Sequence, residues 1–136
     1  MPLLTNCCHC RWCQCESGSS FALNVFIELE HLTLPSSGPS PEPVPTSTHG
    51  GAPNKLARCP TCWIALWSDY GEQHMRYVRV GTLDRPKWLP PDVHTYTASK
   101  QPWVVLPQGT PAFEGYPDAE SERALVAKGL RRRRAV

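Results

Sequence analysis

Cys7-Cys8-His9-Cys10-Arg11-Trp12-Cys13-Gln14-Cys15 sets the terms on which the rest of the chain is read. From Cys8 its thiols follow a C-x-C-x-x-C-x-C ladder, with Cys7 and His9 as additional donors. Thiolates this close converge on one soft cation once the backbone turns. Zn²⁺ takes Cys sulfur at about 2.3 Å in a tetrahedron, so two residues between ligands is a comfortable reach. A second pair, Cys59-Pro60-Thr61-Cys62, has the knuckle spacing of a zinc site. The remaining sequence reads as scaffold for these two clusters.

The 136 residues suit one domain with a modest core. Fifteen Pro, nine Gly and five Trp give a chain rich in turns and aromatics, which favours a mainly β fold. The formal charge is +2, but Arg131-Arg132-Arg133-Arg134 carries it: without them Lys+Arg falls from 14 to 10 against 12 acids. A near-neutral body offers no electrostatic case for nucleic acid as a partner. Met-Pro-Leu-Leu-Thr-Asn lacks the basic start and apolar stretch of a secretory signal. No run approaches a membrane span. Seven cysteines, an odd number, then point to reduced thiols and metal in a cytoplasmic setting.

Outward from the ladder, Ser17-Gly18-Ser19-Ser20 is a turn, and the alternation from Phe21 to Glu30 predicts a strand. The stretch 35–53 changes to Pro, Ser, Thr and Gly, predicting a surface loop with little regular structure in which His49-Gly50-Gly51 can move. Trp63-Ile64-Ala65-Leu66-Trp67 reads as a short buried strand. His74–Val80, His94–Thr97 and Trp103–Leu106 read as further strands, with Phe113 folded back onto the core. Residues 1–116 are expected to form the zinc-binding domain and 117–136 a helical, basic tail. In that tail Asp118 caps a short, peripheral helix whose acids precede its arginines.

Cys8-His9-Cys10-Arg11-Trp12-Cys13, Gly18-Ser19, Phe21 and Arg58-Cys59-Pro60-Thr61-Cys62 together resemble the glutathione-dependent formaldehyde-activating enzyme family, which also includes centromere protein V. Gly81-Thr82-Leu83-Asp84, Pro86, Pro91-Asp92-Val93-His94 and Ser99-Lys100-Gln101-Pro102-Trp103 continue the match, which spans Cys7 to Tyr116. The resemblance implies a small β-rich fold with two zinc sites. The triad Cys8, Cys10 and Cys13 would be the catalytic-type site, its fourth position open to a glutathione-type thiol. Cys59 and Cys62 would be half of a structural site, whose other half is an N-terminal C-x-C that this sequence does not show before Cys7. The implied reaction is carbon–sulfur lyase chemistry, the formation or cleavage of S-hydroxymethylglutathione. The alternatives are a non-catalytic zinc-stabilised interaction module and a truncated, inactive paralogue. Cys15 stands where relatives usually carry Arg, removing one cation for an anionic ligand.

The other polar residues have plainer expected roles. Cys7 and Cys15 are expected to be non-ligands, since the triad closes without them. His9, between two ligands, should turn its ring away from their shared metal, beside the site or at the surface. His94 reads as a packed, hydrogen-bonded histidine, and Asp84 as a turn residue. Trp63, Trp67 and Trp103 read as core or pocket wall, with core favoured, and the four arginines as a solvated tail.

Overall fold

The computed structural model describes residues 1–48, 53–71 and 74–134; His49-Gly50-Gly51 lies outside them. Seven strands form one sheet: β1 (Leu4–Cys8), β2 (Ala22–Glu28), β3 (Glu42–Ser47), β4 (Pro53–Arg58), β5 (Ala65–Asp69), β6 (Met75–Arg79) and β7 (Val93–Thr95). Their order is β3-β4-β5-β6-β2-β1-β7. Every neighbouring pair is antiparallel except β1 and β7, which run parallel. A seven-residue helix, α1 (Arg11–Ser17), follows β1, and α2 (Ala119–Arg134) ends the described chain. The mainly β expectation is met. Among the described residues no helix is long and apolar enough to cross a membrane.

Side-chain alternation divides the sheet into two faces. On one, Val25, Ala57, Trp67 and Val78 pack with Val80, under Leu83 and Leu89 of the 80–92 loop. On the other, Leu4, Phe26 and Val93 pack with Leu125 of α2, flanked by Met75, Tyr77 and Phe113. All five residues of β1 are buried. A strand covered on both faces shows no polar–apolar alternation, which is why Leu4–Cys8 did not read as a strand.

Several expectations need correction. The Pro-rich stretch contains strand β3, paired with β4 from Glu42↔Arg58 to Ser47↔Pro53. β3 is the sheet edge, and Pro43 and Pro45, two apart, turn their donorless nitrogens the same way, to solvent, leaving Glu42, Val44 and Thr46 to pair. The strand predicted at Trp63 begins only at Ala65. Trp63 is 65% and Ile64 55% exposed, because Trp63 takes a left-handed backbone (φ 61°) that turns the chain out of the knuckle. β7 stops at Thr95, where Tyr96 is also left-handed (φ 57°). Trp103–Leu106 is not a strand: Pro102 and Pro107 bracket it, and Lys100 Nζ ties it by donating to the Gln101 and Val104 carbonyls. Of the three tryptophans read as core, only Trp67 is buried, and Trp103 is 69% exposed.

The C-terminal helix is present as expected, but it is not peripheral. Asp118 Oδ1 accepts from the Ser121 N–H at 2.8 Å, the expected cap. About three turns on, Gly129 lies directly against Leu3, whose carbonyl oxygen would be 1.7 Å from an added Cβ. Of the arginine run, Arg132 grips Asp92 (2.6 and 3.1 Å) and Arg133 grips Glu28 (2.8 and 2.6 Å), each in two-pronged fashion. These two arginines are anchors of the helix, not solvated tail.

Candidate metal centre

Three local devices bring Cys8, Cys10 and Cys13 together. Cys8 ends β1, and the chain then turns so that Cys10 is the N-cap of α1, extended at φ −64°, ψ 152°. The Cys10 Sγ accepts the Cys13 N–H at 3.3 Å, as a capping side chain does. Cys13 follows in the first turn and points the same way. The three sulfurs lie within 4.8 Å of one another. Gly18 closes α1 in the left-handed conformation (φ 62°), its N–H on the Gln14 carbonyl.

A second layer of contacts fixes this turn. Gln14 is buried; its Nε2 donates to the carbonyls of His9 (2.6 Å) and Ser99 (2.9 Å), and its Oε1 accepts from Gln101 Nε2 (2.8 Å) and Arg11 (2.7 Å). The Ser99-Lys100-Gln101 segment is thus the clamp that holds the cysteine turn, a connection that sequence spacing alone does not reveal.

The three thiols share protons unequally. Cys10 is held well below the ordinary thiol range by hydrogen bonds from Cys13 and then Cys8, while those two are raised by giving them. A cation entering the cluster would displace its thiol protons, because the thiolate is the form that binds metal. The donor set and its spacing fit a thiophilic ion with a coordination position left over.

The triad opens into a cleft of about 550 Å³. Asn6 and Asn24 floor it, Trp12 borders the cysteines, and Tyr70, Tyr77, Tyr96 and Tyr116 form the walls. The Trp12 indole donates to the Ser47 carbonyl at 3.0 Å, tying edge strand β3 to the rim. Arg79 enters from β6, opposite Asn24 in register. Its Nη1 donates to Asn24 Oδ1 at 2.6 Å, and its buried Nη2 finds no hydrogen-bond partner among the described residues. Tyr70 is pushed up to about 12, by burial first and then by negative charge on the Cys13 sulfur, while a hydrogen bond with Ser68 and then the Arg79 cation act in the opposite sense. Tyr70 therefore senses both the sulfurs and the cation. Tyr96 is raised by burial and by all three cysteines. Arg79, Tyr70 and Tyr96 carried no signal in the sequence, since Arg79 reaches the triad at the end of β6 and the two tyrosines just beyond the ends of β5 and β7. A second cleft, about 620 Å³ beside Pro45, Asn54 and Arg76, holds no cysteine or histidine among its lining residues.

The other predicted ligands lie apart. Cys59 is half-buried and Cys62 exposed at the end of β4. The Cys59 sulfur is lowered by the backbone N–H groups of Cys62 and Thr61, and the Trp63 N–H reaches the Cys59 carbonyl at 2.8 Å. That is a formed knuckle, but among the described residues no third donor joins the pair. Cys15 is exposed. Cys7 and His9 face away from the triad and are buried. His9 is thus an interior residue and not a surface one, while His94 is packed and hydrogen-bonded as expected.

The family model described as glutathione-dependent formaldehyde-activating enzyme matches residues 1–99. No curated protein matches the chain significantly.

Proposed function

The chain belongs to the glutathione-dependent formaldehyde-activating enzyme family, and from that premise we propose that it holds zinc at Cys8, Cys10 and Cys13 and makes or cleaves the bond between a glutathione-type thiol and formaldehyde. The observation that carries the reading is the cleft: three convergent sulfurs open onto a cavity containing an arginine with an uncommitted N–H group. Zinc bound there would supply a place where a substrate thiol sits as thiolate.

The chain's own groups would do the rest. The Arg79 Nη2 suits a carboxylate of the thiol, standing in for the cation that Cys15 does not provide. Tyr96, kept protonated by its surroundings, suits donation of a proton to the aldehyde oxygen as the carbon–sulfur bond forms, and its recovery on cleavage. Its left-handed backbone, unfavourable for a side chain of that size, is the kind of local strain found where a phenol must be aimed. Phe26 and the tyrosines would give the reacting carbon a largely aromatic surround.

The test is exchange between ¹³C-formaldehyde with glutathione and the S-hydroxymethyl adduct, followed by NMR on zinc-loaded protein. Exchange above the uncatalysed rate, lost in Cys10→Ala together with the metal, supports the proposal. Zinc retention with exchange at the uncatalysed rate would sink the enzymatic reading and leave the zinc-stabilised interaction module, which the exposed Trp63 and Ile64 beside Cys62 would serve.

A further inference from the structure

We propose that Cys7, His9 and His94 form a second metal site, separate from the cysteine triad, taking one soft or borderline transition ion, Cu⁺ or Zn²⁺, through a thiolate and two neutral imidazoles. The parallel pairing of β1 with β7 sets Cys7 directly opposite His94. His9 lies two residues beyond Cys7 on the same face, opposite to that of Cys8. All three side chains are buried, at 2%, 0% and 4% exposure.

The geometry matches a coordination polyhedron. Cys7 Sγ lies 3.6 Å from His9 Nε2, and His9 Nε2 lies 3.0 Å from His94 Nδ1. With metal–nitrogen bonds of about 2.0–2.1 Å and a metal–sulfur bond of about 2.3 Å, a tetrahedron has S···N edges of about 3.6 Å and N···N edges of about 3.4 Å. The first distance is met as it stands, and the second needs a few tenths of an ångström.

Hydrogen bonding accounts for the cluster less completely. Neutral imidazole Nε2 offers either one N–H or one lone pair, yet His9 Nε2 faces both a thiol and a second imidazole. One proton cannot serve both neighbours fully, whereas an ion engages all three donors at once. Charge then discriminates between ions. One thiolate and two neutral rings leave no net charge around Cu⁺ and +1 around Zn²⁺. A dry interior that also feels the nearby Lys100 favours the neutral complex, and a three-donor nitrogen–sulfur set suits copper.

The test counts metal on the full chain, loaded anaerobically with Cu⁺ against a chromogenic chelator, or with Zn²⁺ alone. Wild type should hold one equivalent more than Cys7→Ser or His94→Gln, and Cys10→Ala should keep that equivalent. X-ray absorption on Cys10→Ala should then show a mixed nitrogen and sulfur shell. The extra equivalent taken as Zn²⁺ supports the site with zinc as its ion. Folded Cys7→Ser holding as much of either metal as wild type overturns the proposal. Should the single variants fail to fold, an absorption spectrum of metal-loaded Cys10→Ala with sulfur neighbours and no imidazole overturns it equally. Thiol–formaldehyde exchange is a separate readout, so this proposal and the enzymatic one fail independently.

Discussion

Arg79 is where the proposed chemistry is most exposed to test by a single substitution. Charge-assisted hydrogen bonds contribute about 1.5–3 kcal/mol, so Arg79→Met should raise KM for glutathione roughly 10- to 100-fold. A thiol without carboxylates, such as 2-mercaptoethanol, should be nearly indifferent to the change. Equal effects on both thiols would remove Arg79 from substrate recognition. Tyr96→Phe keeps the ring and removes the proton, so kcat should fall by roughly 10²-fold or more with KM little changed. Because its pKa is raised above the ordinary tyrosine value, the wild-type phenol stays protonated through neutral pH, and its contribution should fade only in the alkaline range. The convergence of the cysteine triad was legible at this scale because its three thiols are local, held within one turn and one cap. Arg79 and Tyr96 were not, because one reaches the cleft from β6 and the other from the turn after β7, and no local pattern encodes which strands become neighbours.

Among the elements, α2 shows how a thinly apolar helix can be integral. Its sequence has few core residues, yet Leu125 is buried and Gly129 touches the β1 approach through Leu3. Gly129→Ala improves intrinsic helix propensity by about 1 kcal/mol. It also places a methyl group into backbone that cannot move aside, and overpacking of this kind costs typically 1–3 kcal/mol or more. Net destabilisation in urea unfolding is expected, and an increase in stability would show that α2 does not sit where described. Leu125→Ala should cost about 2–5 kcal/mol. The strands β2 and β6 were legible from alternation. β1 was masked by burial on both faces, and β3 by prolines that only an edge strand accommodates.

For the molecule as a whole, the mainly β class followed from composition, but the strand order did not, since it depends on pairings far apart in sequence. Long-range ion pairs join the ends of this architecture. Glu28 on β2 is pulled down to about 2, chiefly by hydrogen bonds from Arg133 on α2. The sign follows: a depressed carboxylate stabilises the fold above its ordinary value of 4.5, and that contribution is lost as pH falls from there towards 2. The Glu28 side chain is 23% exposed, so solvent screening holds the effect to about 1 kcal/mol or less. Unfolding at pH 6 and pH 3 should show that increment in wild type and not in Glu28→Gln. An unchanged acid sensitivity in the variant would place the pair outside the stability of the fold.

The parallel pairing of β1 with β7 also has a consequence in time. The Thr5 N–H waits for Asp92, 87 positions later, and the His9 N–H for the Thr95 carbonyl. At synthesis rates of about 5–20 residues per second, the cysteine ladder would emerge roughly 4–17 s before its partner strand. During that interval its thiols stand open to oxidants and stray cations, so the order in which ion and strand arrive becomes a kinetic choice of the nascent chain.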